Sequence, residues 1–358
     1  MNNEPAGDDA PSLVEALYEG ESAVVRALRA GAPVEGRAGD GTTALYLAAV
    51  EDLPGTVRLL LAAGADPDRP SGPDAADLPL CGAVCGGHTE VVEALLSAGA
   101  RPDLREGFGF TALRWAAGLG HARIAELLLT RGADPGLPGP EGEPPLVVAA
   151  RRGSAGTVRA LLRYGAPGLR QALEEAHRML AVDVVAELRR ALEALHGPGH
   201  PSVVRRTPVP GGVLVTVELL RDGVPFAGQD QETGHAAVAT LLEEALGLVT
   251  PSEHLAVRAL RGRDQGRDAW RESVRVLRLR GDEETFRAAA AWTASGDTLR
   301  RALGADVLAR LGFRDGARPF RVRTLPLLRE LARDAAHPVA AEAAARALRD
   351  HEAPASPP

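Results

Sequence analysis

The sequence contains no lysine: all 41 basic residues are arginine, set against 48 acidic ones for a formal net charge of -7. Arginine is therefore a habit of composition here, and its abundance alone is no phosphate-binding signal. Cysteine is nearly absent. The two present, Cys81 and Cys85, cannot build a disulfide framework; with His88 close by they still lack the fourth ligand of a closed zinc site, so no metal is expected. The opening MNNEPAGDDAPS has neither the basic region nor the apolar run of an export signal, which points to a reduced cytoplasmic setting. No stretch approaches the roughly 18 consecutive apolar residues of a membrane span. The G-x-S-x-G and H-E-x-x-H patterns are missing too, and the Gly107–Gly109 triplet is followed by no GKS or GKT. Hydrolase, zincin and P-loop chemistries are left without a motif, and neither a cofactor nor catalysis is expected.

What the chain does have is a period. Gly-Ala pairs fall at Gly31-Ala32, Gly64-Ala65, Gly99-Ala100, Gly132-Ala133 and Gly165-Ala166, separated by 33, 35, 33 and 33 residues. Second helices are expected to begin at Val24, Val57, Val91, Ile124 and Val158, each an apolar stripe that keeps the same beat. One such unit cannot bury its own apolar face, so the copies are expected to stack into a continuous core.

The clearest copy, Gly109 to Gly136, carries Thr111, Leu113, Ala116-Ala117, Gly120-His121, Leu127 to Leu129 and Gly132-Ala133-Asp134. In these residues it resembles an ankyrin repeat, whose length is 33 residues. The resemblance implies a helix-turn-helix unit joined to the next by a hairpin. The first copy, from Pro11, lacks the threonine opening and suits a polar capping repeat. Tyr46, Cys81, Arg114 and Val147 stand where the family has a hydrogen-bonding histidine, which implies a less rigid stack. Trp115 falls at an inward position and is expected in the core.

The expected organisation is a disordered stretch over 1–10, five ankyrin repeats with a divergent C-terminal cap over 11–196, a linker with a short strand or hairpin over 197–233, helical repeats over 234–350 and a disordered tail over 351–358. In the linker, alternating Val213, Val215 and Val217 followed by Arg221-Asp222-Gly223 favour a strand and a turn. Leu325 to Leu348, with an L-P-x-L opening and a Pro-Val turn, resembles a HEAT repeat, although Ala340 replaces the cation that would pair with Asp334. The fold class is thus all-α, an ankyrin solenoid followed by a HEAT-like solenoid with a short β element between. The combination looks like a group of actinobacterial ankyrin proteins.

The resemblance also implies function: ankyrin arrays bind other proteins on hairpin tips and first-helix faces. Alignment on Leu45, Leu80, Leu113 and Leu146 places the partner-facing residues at Asp40, Thr42 and Glu51; Asp74, Asp77 and Cys85; Phe108, Phe110 and Leu119; and Glu141, Glu143, Arg151 and Arg152. Aromatics are only 3% of the chain, and two of them lie on one tip among carboxylates, the composition of an apolar anchor inside a charged rim. Through Gly168 there are 22 acids and 14 arginines, and beyond it 26 and 27. The repeat half is the acidic one. The expectation is a monomeric, non-catalytic scaffold whose partner is a basic or amphipathic protein segment, with no membrane role. From His254 to Arg333, 18 arginines accompany ten acids; nucleic-acid binding there, or a cryptic enzymatic domain targeted by the array, is the alternative.

Overall fold

The computed structural model describes residues 12–209, 211–261, 268–314 and 317–352. The chain divides into two compact units, Met1–Arg152 with Gly156–Gly168, and Gly153–Ala155 with Leu169–Pro358. The expected disordered stretch at 1–10 and the tail from 353 lie outside the described residues, whereas 351 and 352 close the last helix.

The first unit is built on five helix pairs: α1 (Leu13–Glu19) and α2 (Glu21–Arg29), α3 (Ala44–Val50) and α4 (Pro54–Ala62), α5 (Pro79–Gly86) and α6 (Thr89–Ser97), α7 (Ala112–Leu119) and α8 (Ala122–Thr130), α9 (Pro145–Arg152) and α10 (Ala155–Arg163). α7 and α8 have only 8 and 9 residues. Helices so short are marginal in water, so packing must hold them. α7 lies against α5, α8 and α9, and its Leu113, Ala116 and Ala117 are buried together with Ile124 and Leu128 of α8. The two alanines leave no exposed surface, which is what permits the close approach. Thr111 starts α7 by accepting the Arg114 N–H at 3.2 Å, a side-chain cap. Gly120 ends it with φ of 79° and Gly132 follows α8 with φ of 89°, a region that favours glycine.

The hairpins between repeats are short bridges, Arg37 to Thr43, Ser71 to Asp77 and Arg105 to Thr111. Two arginines staple them. Arg37 donates to Gly41 O of its own hairpin at 2.9 Å and to Pro70 O of the next at 2.7 Å. Two repeats later Arg105 does the same to Gly109 O at 2.7 Å and Pro138 O at 2.8 Å. His88 adds a link from the third copy to Val50 O of the second at 3.0 Å. These are cross-links between copies that the missing opening histidine does not supply.

The second unit comprises α11 (Leu169–Leu180), α12 (Val184–His196), β1 (Ser202–Val209), β2 (Gly212–Arg221), β3 (Val224–Glu232), α13 (His235–Ala245), α14 (Ser252–Leu260), α15 (Asp268–Arg280), α16 (Glu283–Thr293), α17 (Thr298–Ala309), α18 (Arg321–Leu331) and α19 (Pro338–Glu352). The helices at 169–196, expected as a divergent cap of the ankyrin array, belong to the second unit. α11 lies on α13 and α12 lies on β2 and β3. The reason is apolar demand: Leu188 and Leu192 of α12 form one buried cluster with Val215, Val217 and Leu219 of β2, covering one face of a sheet that could not stand bare.

The β element expected between the helical parts is larger than a single hairpin. In place of a linker with one hairpin there is a three-stranded antiparallel sheet in the order β1-β2-β3. Arg221 pairs with Val224, leaving Asp222 and Gly223 as a two-residue turn with φ of 52° and 81°. Two positive φ values in a two-residue connection mark the hairpin turn that matches strand twist. A larger buried cluster joins α14 to α19 and includes Trp270, Phe286, Trp292, Leu303 and Leu328. Asp334 is not left without a cation by Ala340: Arg301 of α17 reaches it at 2.6 Å and His337 at 2.9 Å.

Candidate functional site

A groove of about 290 Å³ opens on the first unit beside α3, α5 and α7 and the hairpin residues Asp77, Glu106 and Phe108. Tyr46 and Val50 of α3 and Trp115 of α7 form its apolar walls, with Cys81 and Cys85 of α5 between them. Gly82 is required at this crossing: a Cβ there would stand 2.9 Å from Val50 Cγ2 and 3.0 Å from Tyr46 Cε2. Two carboxylates, Asp77 and Glu106, supply its charge, and Phe108 stands at its edge.

Glu106 organises the hairpin beside the groove. Its side chain is 8% exposed, and its two oxygens accept the Phe108 and Phe110 backbone N–H groups, each at 3.0 Å. Those bonds set the two rings in opposite roles. Phe110 turns inward and meets Trp115 edge-on at 5.3 Å between centroids, with the Arg114 guanidinium over its other side at 4.8 Å. Phe108 is left 72% exposed. Trp115 is consequently not a core residue as expected: it is half-buried, lines the groove, and its Nε1 has no hydrogen-bond acceptor.

The electrostatics are acidic and discourage thiol chemistry. Burial, then the Glu106 charge, pushes the Cys85 thiol up to about 11; the same two causes, with Cys85 added, raise Cys81 further. Burial and then Asp77 raise Tyr46. No group of three or more His, Cys, Asp or Glu among the described residues is arranged to hold a metal ion.

Of the sequence-derived positions, the groove gathers Asp77, Cys85 and Phe108. Asp40, Asp74 and Glu141 are exposed at the tips of the other hairpins, so that Phe108 is a single ring in a row of carboxylates. Asp40 accepts the Thr42 N–H at 2.9 Å, and this hydrogen bond holds its carboxyl below the usual range. Glu51 is exposed at the end of α3, and Leu119 is half-buried at the end of α7. Glu143 and Arg151 pair with each other, one bond measuring 3.0 Å, and Arg152 beside them is half-buried. Sequence reasoning missed Tyr46, Val50, Glu106 and Trp115 as groove residues. Tyr46 carried a signal, since it takes the place of a family histidine.

Residues 80–171 match the family model for ankyrin repeats, in three copies, and residues 40–71 match that for a single ankyrin repeat. The first unit carries ankyrin repeats. Their helix pairs extend from α3 to α10, and α1 and α2 precede both matches. No curated protein matches the chain. No helix among the described residues is long and apolar enough to cross a membrane.

Proposed function

We propose that this protein is a non-catalytic interaction scaffold that uses the ankyrin groove to hold a partner segment carrying an apolar residue next to a basic one. Ankyrin repeats generally mediate protein–protein interaction, which supports the class. The observation that carries the specific reading is Phe108, an exposed ring at the edge of a groove whose charged lining is Asp77 and Glu106. An apolar side chain seated between Phe108 and Tyr46 would leave a neighbouring Lys or Arg facing those carboxylates, the pattern of a buried anchor with a complementary rim.

In this reading the second unit is a HEAT-like array behind the sheet, supported by the α18 and α19 pair with Pro326 inside α18 and by the Arg301–Asp334 link between helices 33 residues apart. The absence of lysine and the two free thiols favour a reduced bacterial cytoplasm as its setting. Affinity capture from native lysate with and without nuclease tests the proposal, using the wild type and Phe108→Ala. A nuclease-resistant protein lost with Phe108→Ala is the expected result. Enrichment of nucleic acid alone, unchanged by the substitution, would overturn it in favour of the arginine-rich unit.

A further inference from the structure

The second unit holds a larger cavity, about 600 Å³, lined by residues of α15, of α17 and the turn after it, and of α19. Its volume lies within the roughly 300–1,000 Å³ of small-molecule sites. Trp270, Val274 and Phe313 give it an apolar wall, and Leu279, 48% exposed, forms one edge. The charges are one-sided: five guanidinium groups line it against the single carboxylate of Asp306.

That carboxylate is already committed. Asp306 Oδ2 accepts Trp270 Nε1 at 2.9 Å and Oδ1 accepts Arg346 at 3.1 Å. Arg310 pairs with Asp350 at 3.2 Å, Arg275 with Glu272 and Glu244, each at 2.8 Å, and Arg271 reaches Asp268 only at 3.9 Å. Arg278 is different. It donates through Nε at 2.7 Å and through Nη2 to the backbone oxygen of Asp306, a carbonyl of the last turn of α17, and no carboxylate lies within ion-pair distance of it among the described residues. Burial lowers its pKa, an effect that Asp306 opposes and Arg310 reinforces. The cap on α17 explains two of its donors. It does not explain why this half-buried guanidinium, with the Asp306 and Asp350 charges farther off, has no carboxylate in direct contact, an arrangement that costs desolvation without a close ion pair.

We propose that this cavity binds a small amphipathic anion, its oxyanion head on the remaining face of Arg278 and its apolar body against Trp270, Phe313 and Leu279. Arg271, 64% exposed and loosely paired, swings in as a second donor. A planar guanidinium fork suits a carboxylate or phosphate head. A cavity of about 600 Å³ accommodates one such molecule and not a polymer.

The test uses the full chain, with calorimetry and with displacement of the fluorescent anion 1-anilinonaphthalene-8-sulfonate. Dodecanoate and adenosine monophosphate separate a lipid-like from a nucleotide source, and binding of either supports the proposal. Dodecanol controls for the head and inorganic phosphate for the apolar body. Arg278→Met should weaken the bound anion about tenfold, which corresponds to roughly 1.4 kcal/mol. Because that variant also removes the α17 cap, Arg271→Gln and Phe313→Ala serve as variants that spare it, each with an expected loss of about fivefold. Dodecanol binding as well as dodecanoate, affinities unchanged in all three folded variants, or binding confined to inorganic phosphate or to heparin would overturn the proposal.

Discussion

Phe110 meets Trp115 edge-on, with centroids 5.3 Å apart and planes at 83°, while Phe108, two residues earlier, touches solvent over most of its surface. The inward ring is part of the fold and the outward ring is available to a partner. Phe110→Ala should therefore lower the stability of the ankyrin unit by about 2 kcal/mol, a half-buried aromatic together with its ring pair. Phe108→Ala should change it by less than about 0.5 kcal/mol. Thermal or urea unfolding of the two single variants checks this; equal losses would mean that both rings are structural.

The two thiols should respond in order. With Cys85 held at about 11 and Cys81 more deeply buried and higher still, both should react slowly with iodoacetamide at pH 8, because only the thiolate attacks. Raising the pH should label Cys85 first, and Cys81 only on unfolding. Glu106→Gln should quicken Cys85 modestly, since the Glu106 charge is the lesser cause. Mass spectrometry of the labelled peptides reads the order directly.

Glu243 is a buried charge of the second unit. Its carboxylate accepts Arg258 at 2.5 and 2.7 Å, Thr250 at 2.5 Å and His177 at 3.1 Å, tying α11, α13 and α14 together. Burial alone would raise its pKa, but the hydrogen bonds from Arg258 and Thr250 outweigh that and hold it low. A depressed carboxylate stabilises the fold above its unfolded pKa of about 4.3 and loses that contribution as pH falls through the folded value. Glu243→Gln should cost about 3 kcal/mol at pH 7, since it leaves Arg258 buried without its charge partner. It should cost much less near pH 3, which a melting series from pH 3 to pH 7 would reveal.

His351, at the end of α19, titrates in the opposite sense. Burial holds its pKa below the ordinary value; the Leu308 backbone pulls it upward, and Arg318 and Arg321 push it down. A histidine kept neutral by the fold stabilises above its unfolded pKa of about 6.5 and loses that stability as pH falls toward the folded value. Unfolding between pH 7.5 and pH 5 should show this loss in the wild type and a flatter profile in His351→Leu. Parallel profiles would sink the assignment.

The ankyrin part was readable because its signals are local. Thr111, Ala116-Ala117, Gly120 and Gly132 each act within a few residues, and their 33-residue recurrence multiplied a weak pattern into a firm one. Arg221-Asp222-Gly223 was readable for the same reason, since a two-residue turn with positive φ depends on its own residues. The groove was read less well. Asp77 and Phe108 were reached from repeat position, whereas Trp115 was assigned to the core because its helical register says inward and says nothing of Phe110 arriving from the hairpin.

The sequence by itself determined the repeat, the hairpin turn of the sheet and the excess of acid in the first 168 residues, while the second helices begin two or three residues before the apolar stripes that marked them. Each follows from periodicity or from backbone preferences acting over short separations. Only the tertiary structure decided which of two phenylalanines is free, that α11 packs on α13 and α12 on the sheet, and that Arg301 takes the place of the missing cation beside Asp334. Those outcomes rest on packing and charge pairing between residues far apart in the chain, where many partners are compatible with the same local pattern and the burial of apolar surface selects one.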